Sequence, residues 1–365
     1  MNTVNLKVAE QVKKIAVLGE IRLFILIKKE LNSEVQDIAF SQQTSGRLGG
    51  VSGNKGGLVV TFRIGETRFC FLNSHLNAHT EFMERRNEDI KAIISGLHRP
   101  IPNFESINSH YCFFLGDLNY RIEMEHEEVL ELVQQKNWER LLFKDQLKDQ
   151  QTKGKALSGF SEADISFPPT FKVKKTVDPQ YSTQRVPSYC DRVLWKAYPC
   201  LHLRCLKYQS IPEIITSDHK PVHGIFEVEY ISTKSLQIAE NVKQIILTNL
   251  TAQNLPTDSL NQPQFQLRAC LVHGSTKSTA TTKSQSKPFW FESLKIDTQN
   301  LQINLFPHTY LLLAISCVAD GQTIKLGESV LPLSKVQKIP SDFKIDLFQE
   351  GLPFGVLVGK AQFII

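Results

Sequence analysis

The sequence has no long hydrophobic run. No stretch approaches the roughly 18 apolar residues that a membrane-spanning helix needs, which excludes a protein with such a helix. The N-terminus, Met1 to Lys7, lacks the apolar core of a secretory signal peptide. The seven cysteines show no CxxC spacing, so neither a disulfide framework nor a zinc site is expected. These absences predict a cytoplasmic protein of about two globular domains with reduced thiols.

An excess of charge and two catalytic signatures are missing as well. The net charge of +5 suits anionic substrates or membrane surfaces but is too small to argue for nucleic acid, and no nucleic-acid partner is expected. No Gly-x-Ser-x-Gly elbow supports a serine nucleophile. The glycine-rich stretch 46–57 is not a Walker loop, because strand and helix come in the wrong order. By itself it is more typical of a hairpin loop, although Lys55 within it would bring positive charge to an anion.

What the sequence does contain is a series of short apolar runs that end in polar residues. Residues 111–115 are uniformly apolar and too short for a helix, which predicts a buried strand, and Asp117 and Asn119 follow it. Residues 68–72 predict another strand, with His75 shortly after its end. A lone Gly-Asp is more typical of a strand-ending turn, and a lone histidine is usually structural. The argument for a site therefore depends on their combination.

Two further polar groups follow the same pattern. Asp191 and Arg192 stand immediately before a predicted strand, and Asp218 and His219 follow the apolar pair Ile214-Ile215. Carboxylates and amides suit Mg2+, which is usually held by one or two carboxylates together with water and substrate phosphate. Basic side chains suit several phosphates at once, and the candidates are Lys55, Arg121, Lys172 and Arg192. The combination predicts metal-assisted phosphoester hydrolysis.

The remaining pattern before residue 230 predicts mixed secondary structure. Lys14–Val17 and Ile21–Ile27 read as two strands that turn at Gly19-Glu20. Residues 82–97 carry apolar residues at helical spacing, which predicts an amphipathic helix. Residues 123–142 predict a second helix with an acidic face, more typical of solvated surface than of a metal site.

Six blocks of the sequence, in order, resemble the inositol polyphosphate 5-phosphatases of the endonuclease/exonuclease/phosphatase superfamily. The later blocks, and the second domain after them, are most similar to the SH2-containing type, although no SH2 domain is present. The resemblance implies a four-layer αββα sandwich over residues 1–232. The blocks are Gly53-Asn-Lys-Gly, Asn73-Ser-His-Leu, Phe114-Leu-Gly-Asp-Leu-Asn-Tyr-Arg, Phe167-Pro-Pro-Thr-Phe-Lys, Pro187-Ser-Tyr-Cys-Asp-Arg-Val-Leu-Trp and Ser217-Asp-His-Lys-Pro-Val.

The resemblance also implies a role for each site residue. Asp117 would orient and deprotonate the attacking water, with Asn119 beside it, and Asp218 would lie near Mg2+. His219 would stabilise the pentavalent phosphorus, held in its tautomer by Asp191. His75 and Asn77 would bind the scissile 5-phosphate. The basic residues would contact phosphates of the substrate, and these are Lys55, Arg121, Lys172 and Arg192.

Two blocks of the family pattern are missing. The family has a Thr-Trp-Asn block and a Gln-Glu block whose glutamate is the main Mg2+ ligand, but the tryptophans here are Trp138, Trp195 and Trp290, and Gln349-Glu350 lies far downstream. The expectation is a chain that begins after the first two core strands. Two hypotheses therefore stay open: a Mg2+-dependent phosphatase acting on phosphoinositides or inositol polyphosphates, and an inactive phosphoinositide-binding or scaffold homologue.

Residues 236–365 have a different pattern, with short strands separated by turn-rich segments, which predicts an all-β sandwich. Its order and its position after a 5-phosphatase resemble a C2 domain. Asp258 and Asp320 are too few for a Ca2+ cage. The loop 274–287, with Lys277, Lys283 and Lys287, is equally typical of a solvated loop and of one that contacts an anionic membrane. The second reading predicts a protein that is peripheral at membranes.

Overall fold

The computed structural model describes residues 10–45, 55–97, 107–232, 239–255, 264–271, 277–282, 288–290, 293–319 and 322–365. Strands up to residue 228 and strands from residue 241 onward form separate sheets. The predicted boundary at residues 232–236 falls mostly within 233–238, outside the described residues. No helix in the described ranges is long and apolar enough to cross a membrane.

The described residues of the first part form nine strands and four α-helices. The strands are β1 Glu10–Leu18, β2 Ile21–Lys28, β3 Val35–Thr44, β4 Gly56–Ile64, β5 Thr67–His75, β6 Tyr111–Asp117, β7 Asp191–Ala197, β8 Leu203–Ser210 and β9 Val222–Val228. The helices are α1 Met83–Gly96, α2 His126–Gln134, α3 Trp138–Phe143 and α4 Gln146–Thr152. Strands β1, β2, β5 and β6 lie where the sequence predicts them.

A five-stranded sheet with the order β3-β4-β5-β6-β7 forms the centre of this part. Strands β5 and β6 run parallel, and the other neighbours run antiparallel. The pairing places His75 opposite Asp117 and Asp117 opposite Asp191. The carboxyl ends of β5 and β6 and the beginning of β7 therefore meet at one edge of the sheet.

Two hairpins, β1–β2 and β8–β9, pack on one face of this sheet. Strand β2 alternates buried and exposed residues, and its buried Leu23 and Ile25 join a core that contains Phe69 and Phe113. On its outer face Phe24 is 51% exposed, and no helix in the described ranges covers it. Helix α1 packs on the opposite face of the central sheet. These layers confirm the predicted α+β fold of the αββα sandwich type, and the described residues show its two strand layers and the helical layer of α1.

The single helix predicted over residues 123–142 is wrong. The chain forms α2 and α3 instead, because Lys136 adopts a left-handed conformation (φ 53°) that ends the first helix. The Asn137 side chain then accepts the backbone N–H of Arg140 and caps the second helix. A lysine in this conformation has no clear sequence signature.

The second part is an all-β domain, as predicted, built from one curled sheet around a single apolar core. The resemblance to a C2 domain stays a prediction, and Asp258, Asp320, Lys283, Lys287 and the side chain of Lys277 lie outside the described residues. The strands are β10 Asn241–Gln253, β11 Gln264–Leu271, β12 Lys277–Thr282, β13 Phe289–Trp290, β14 Leu294–Gln302, β15 Tyr310–Ala319, β16 Gln322–Pro332, β17 Ser341–Gln349 and β18 Leu352–Ile364.

The two parts contact each other through a buried interface next to β6. His110, one residue before β6, accepts the backbone N–H of Arg68 at Nδ1 (3.0 Å) and lies 3.1 Å from the carbonyl of His308 at Nε2. The Tyr310 hydroxyl donates to the carbonyl of Pro199 (2.9 Å). Burial lowers the pKa of His110 from the ordinary 6.5 to about 4.

Acid should therefore destabilise the folded chain through His110. Its pKa is depressed on folding, so the unfolded chain binds a proton that the folded chain does not between pH 6.5 and about 4. Stability is full above pH 6.5 and falls by about 3 kcal/mol as pH falls to about 4. Urea titrations of the parent chain and of His110→Gln over this range measure the effect. The variant should lose this part of the pH dependence, whereas His202→Gln, at an exposed position, should retain it. Identical pH slopes for all three proteins would contradict the prediction.

Candidate active site

The edge where β5, β6 and β7 meet owes its shape to two backbone positions. Gly116 adopts φ 126°, and a Cβ there would overlap the carbonyl oxygen of Ser74, so only glycine fits. Asn119 adopts a left-handed φ of 56°, which asparagine tolerates better than most residues. Its backbone N–H donates to Asp117 Oδ1 (3.1 Å). The turn after β6 therefore fixes the Asp117 carboxylate.

Lys55, His75 and Asp117 form a line of contacts across this edge. Lys55 Nζ contacts His75 Nε2, and this His75 nitrogen lies 3.2 Å from Asp117 Oδ2. Burial favours a raised pKa for Asp117, but the hydrogen bond with His75 and the charges of His219 and Lys55 hold the pKa below its ordinary value. Burial lowers the pKa of Lys55, and the charge of Asp117 partly offsets this. Asp117 is therefore ionised at neutral pH and can accept a proton.

Asp191 and His219 form the second half of the cluster. His219 Nδ1 donates to Asp191 Oδ2 (3.0 Å), and the Thr170 hydroxyl donates to the same oxygen (2.7 Å). Burial favours a lowered pKa for His219, but the hydrogen bond and charge of Asp191 raise the pKa above its ordinary value. The ring centroids of Phe171 and His219 lie 4.5 Å apart. The imidazole is thus held in one orientation with its proton on Nδ1.

Asn77, predicted to bind the scissile phosphate, is tied to helix α1. Its side-chain and backbone N–H groups both donate to Asp89 Oδ2, at 2.6 and 3.1 Å. Asp89 is buried, and burial raises its pKa, although the hydrogen bonds from Asn77 oppose this. The loop after β5 is therefore anchored to α1, and the amide of Asn77 has one donor already committed.

Arg121 lies inside the protein beneath the predicted site. It donates from Nε to the carbonyl of Asn119 (3.1 Å) and from Nη2 to the Asn119 side-chain oxygen, and its guanidinium lies 4.4 Å from the ring centroid of Phe171. With 4% of its surface exposed, its clearest contribution is to orient Asn119 and add positive charge below the cluster.

The prediction that Arg192 contacts substrate phosphate is wrong. Its side chain is fully buried and pairs with Asp145 (3.0 Å) and Glu162 (2.6 Å). Arg192 is opposite Gly116 in the pairing of β6 and β7, so its side chain points into the protein and not toward the edge that carries Asp117. Alternation along β7 turns Arg192 to the opposite side from Asp191, but only the fold shows that Asp145 and Glu162 bury the side chain there.

Lys172 and Asp218 lie at the mouth of the site. Lys172 Nζ is 3.8 Å from Asp218 Oδ2 and 3.3 Å from the side-chain oxygen of Gln184. The Asp218 side chain is 47% exposed and does not join the cluster around Asp117. The exposed Lys174 and Lys175 follow on the same loop. This loop therefore presents positive charge in front of the buried groups.

The described residues do not fit a magnesium site closed by protein ligands. Donor atoms of Asp117, Asp191 and His219 all lie within 4.8 Å of one another. However, Oδ2 of Asp191 already accepts from Thr170 and His219, and His219 Nδ1 holds the shared proton. Mg2+ prefers near-octahedral oxygen donors, and Asp117 is left as the one carboxylate of this cluster that is not paired with His219.

Sequence reasoning missed Lys220 as a structural member of this site. Lys220 is 4% exposed, and its Nζ donates to the carbonyls of Thr176 (2.6 Å), Pro212 (2.7 Å) and Ile214 (3.1 Å). It thereby ties the loop before His219 to the loop that carries the basic residues 172–175. A signal was available in the sequence, since Lys220 directly follows the Ser-Asp-His block.

Replacing Lys220 with methionine should loosen both loops. Three buried carbonyl groups would lose their donor, and each unsatisfied buried group costs about 1–3 kcal/mol. We expect Lys220→Met to lower the free energy of unfolding by at least about 2 kcal/mol and to speed amide hydrogen exchange over residues 211–219. Lys207→Met, at an exposed position in β8, serves as the control. Unchanged exchange over 211–219 would contradict this role.

Comparison with known proteins places this chain in a family. A family model described as Endonuclease/Exonuclease/phosphatase family 2 matches residues 9–225. A human phosphatidylinositol 3,4,5-trisphosphate 5-phosphatase 2 is 37% identical over 236 residues, covering 60% of this chain and 19% of the relative. A mouse type II inositol 1,4,5-trisphosphate 5-phosphatase is 34% identical over 265 residues, covering 70% and 26%. The chain thus spans about a fifth to a quarter of these relatives.

A solved structure agrees with these matches. The inositol polyphosphate 5-phosphatase domain of SpSynaptojanin, determined in complex with inositol (1,4)-bisphosphate and calcium ion, is 31% identical. The similarity has a TM-score of 0.52 and covers 60% of this chain and 64% of that one.

Proposed function

Because this chain belongs to the Endonuclease/Exonuclease/phosphatase family 2, we propose that residues 1–232 form the catalytic domain of a 5-phosphatase. The substrate would be a phosphoinositide or an inositol polyphosphate, and Mg2+ is the ion that the resemblance implies. The observation that carries the proposal is the ionised Asp117, set between Lys55 and His75 on one side and the His219–Asp191 pair on the other.

In this proposal the chain's own residues act as follows. Asp117 accepts a hydrogen bond and then a proton from the attacking water, because its pKa is held low enough for it to be ionised. His219, whose pKa Asp191 raises and whose Nδ1 is held by Asp191, stabilises negative charge that develops on the phosphoryl group. Asn119 is oriented by Arg121 beside the water.

Substrate recognition would use the positive side chains around the cluster. Lys55 and His75 lie closest to Asp117 and would contact the 5-phosphate. The loop with Lys172, Lys174 and Lys175 would face the neighbouring ring phosphates. Residues 236–365 would form a C2-like domain that contacts an anionic membrane, which makes the protein cytoplasmic and peripheral at membranes.

Release of inorganic phosphate tests the proposed hydrolysis. The probes are inositol 1,4,5-trisphosphate and short-chain phosphatidylinositol 3,4,5-trisphosphate, each with Mg2+, and inositol 1,4-bisphosphate is the control because it lacks the 5-phosphate. We expect one phosphate per molecule from the first two and none from the control. Equal release from all three would contradict 5-phosphate specificity. Binding without release would contradict hydrolysis and support the non-catalytic hypothesis.

A further inference from the structure

A buried glutamine connects the two loops on which the site is built. Gln146 begins α4 and is 2% exposed. The loop after β5, residues 76–80, and the turn after β6, residues 118–123, both form hydrogen bonds with it. The preceding residue, Asp145, caps α4 and pairs with Arg192. A buried ion pair therefore fixes the position of this glutamine.

The side-chain amide of Gln146 uses all of its hydrogen-bonding groups. Its oxygen accepts from Arg86 Nη2 and from the backbone N–H of Arg121 (3.0 Å). Its nitrogen donates to the carbonyl of Thr80 (3.2 Å) and to Glu123 Oε1 (3.0 Å). An amide has two donor hydrogens and one oxygen with two lone pairs, so this side chain has a partner for each. The donors lie on one side of the amide and the acceptors on the other, which fixes its orientation.

The two partners of the glutamine oxygen extend this connection toward the cluster. Arg86 also donates to the carbonyl of Asn77 (3.1 Å). Arg121 also donates to the side-chain oxygen of Asn119. At the site itself, the side-chain nitrogen of Asn119 donates to the carbonyl of Leu76 (3.1 Å). The two loops are therefore joined twice, once at the site and once in the interior at the glutamine.

We propose that Gln146 is a positioning residue of this site, which holds Asn77 and Asn119 at the separation that the reaction needs. The inference rests on the proposed function for the reaction, in which Asn77 would contact the scissile phosphate and Asn119 would lie beside the attacking water. A displacement of about 1 Å at a catalytic group can lower a rate by about 10²-fold. A residue that does not touch the substrate can therefore control the rate.

Gln150 provides a matched comparison one helical turn later, on the same face of α4. It is 1% exposed, and its side chain bonds to Asn87 of α1 (2.8 Å) and to Asp149 (2.8 Å). Its connection with the turn after β6 is indirect, because Asn87 accepts from the Tyr120 hydroxyl (2.6 Å). Replacing either glutamine with leucine removes the same buried amide, but only Gln146 bonds to both loops.

Phosphate release from inositol 1,4,5-trisphosphate with Mg2+ measures the role in the reaction. We expect Gln146→Leu to lower kcat by about 10²-fold, with a smaller change in KM, and Gln150→Leu to stay within about threefold of the parent. The unfolding temperatures of the two variants should be similar, since each loses one buried amide. Amide hydrogen exchange measures the connection itself, and it should become faster over residues 76–80 and 118–123 in Gln146→Leu but not in Gln150→Leu.

Gln146→Glu separates the two loops, because it keeps the shape and the oxygen of the side chain but loses both donor hydrogens. The bonds from Arg86 and Arg121 should persist, so exchange should become faster over residues 76–80 and stay unchanged over residues 118–123. If Gln146→Leu does not fold, this variant and its kcat take the place of the leucine variant in the comparison with Gln150→Leu.

Equal kcat values for the Gln146 variant and Gln150→Leu would overturn the inference and leave the proposed function intact. Unchanged exchange over residues 76–80 in the Gln146 variants would overturn it as well. A parent chain that releases no phosphate would overturn the proposed function, and the exchange comparison would then decide whether Gln146 joins the two loops.

Discussion

Asp117→Asn should lower the rate of 5-phosphate release by about 10²–10⁴, the usual effect of removing a general base. Asparagine has nearly the same shape and can still accept the N–H of Asn119, so the turn after β6 should persist. It cannot take a proton from water. Affinity for inositol 1,4,5-trisphosphate should stay equal or rise, because a negative charge next to the phosphate is removed. The measurement is the initial rate of phosphate release at saturating substrate with Mg2+, beside a titration for affinity.

Asp346→Asn is the matched control for this experiment. Asp346 is an exposed aspartate of β17 in the second part, so the same chemical change there should leave the rate within twofold of the parent. A rate for Asp117→Asn equal to that of the control would contradict the assignment of Asp117. A loss of affinity equal to the loss of rate would show that Asp117 supports binding and not the chemical step.

Arg192→Met should reduce the free energy of unfolding by about 3–5 kcal/mol, the usual cost of removing one partner from a buried ion pair. The substitution leaves Asp145 and Glu162 buried with fewer opposite charges, although Lys148 still lies 2.9 Å from Glu162. Since an unpaired buried carboxylate prefers to be protonated, the loss should shrink as pH falls toward 5. Urea unfolding at pH 7 and pH 5 measures both effects.

Arg140→Met provides the comparison for Arg192. Arg140 pairs with Glu128 at 3.0 Å, but both side chains are largely exposed, and such surface pairs contribute about 0–1 kcal/mol. The two variants delete the same side chain in the same half of the molecule, so they differ mainly in burial. A loss in Arg192→Met no greater than in Arg140→Met would show that the buried network is not needed for stability. Phosphate binding that vanishes without any loss of stability would restore Arg192 as a ligand contact.

The sequence by itself determined where the main strands lie and which residues collect at their ends. The short runs at 68–72 and 111–115 predict buried strands, and polar residues that follow such strands are expected at an edge of the sheet. Asp117 and His75 could therefore be placed near each other before the structure was known. Strand β3 was missed because Val35–Thr44 is mostly polar, has no fully buried residue, and pairs through one edge.

Tertiary structure alone decided which of the predicted basic residues face the site. Arg192 and Asp191 are neighbours in the chain, yet Asp191 lies in the cluster and Arg192 pairs with Asp145, 47 residues away. Side-chain direction depends on strand pairing, and the partners of a buried charge come from distant parts of the chain, so no local pattern records them. The same reason hid the buried role of Lys220, whose three carbonyl partners become neighbours only when two loops come together in the fold.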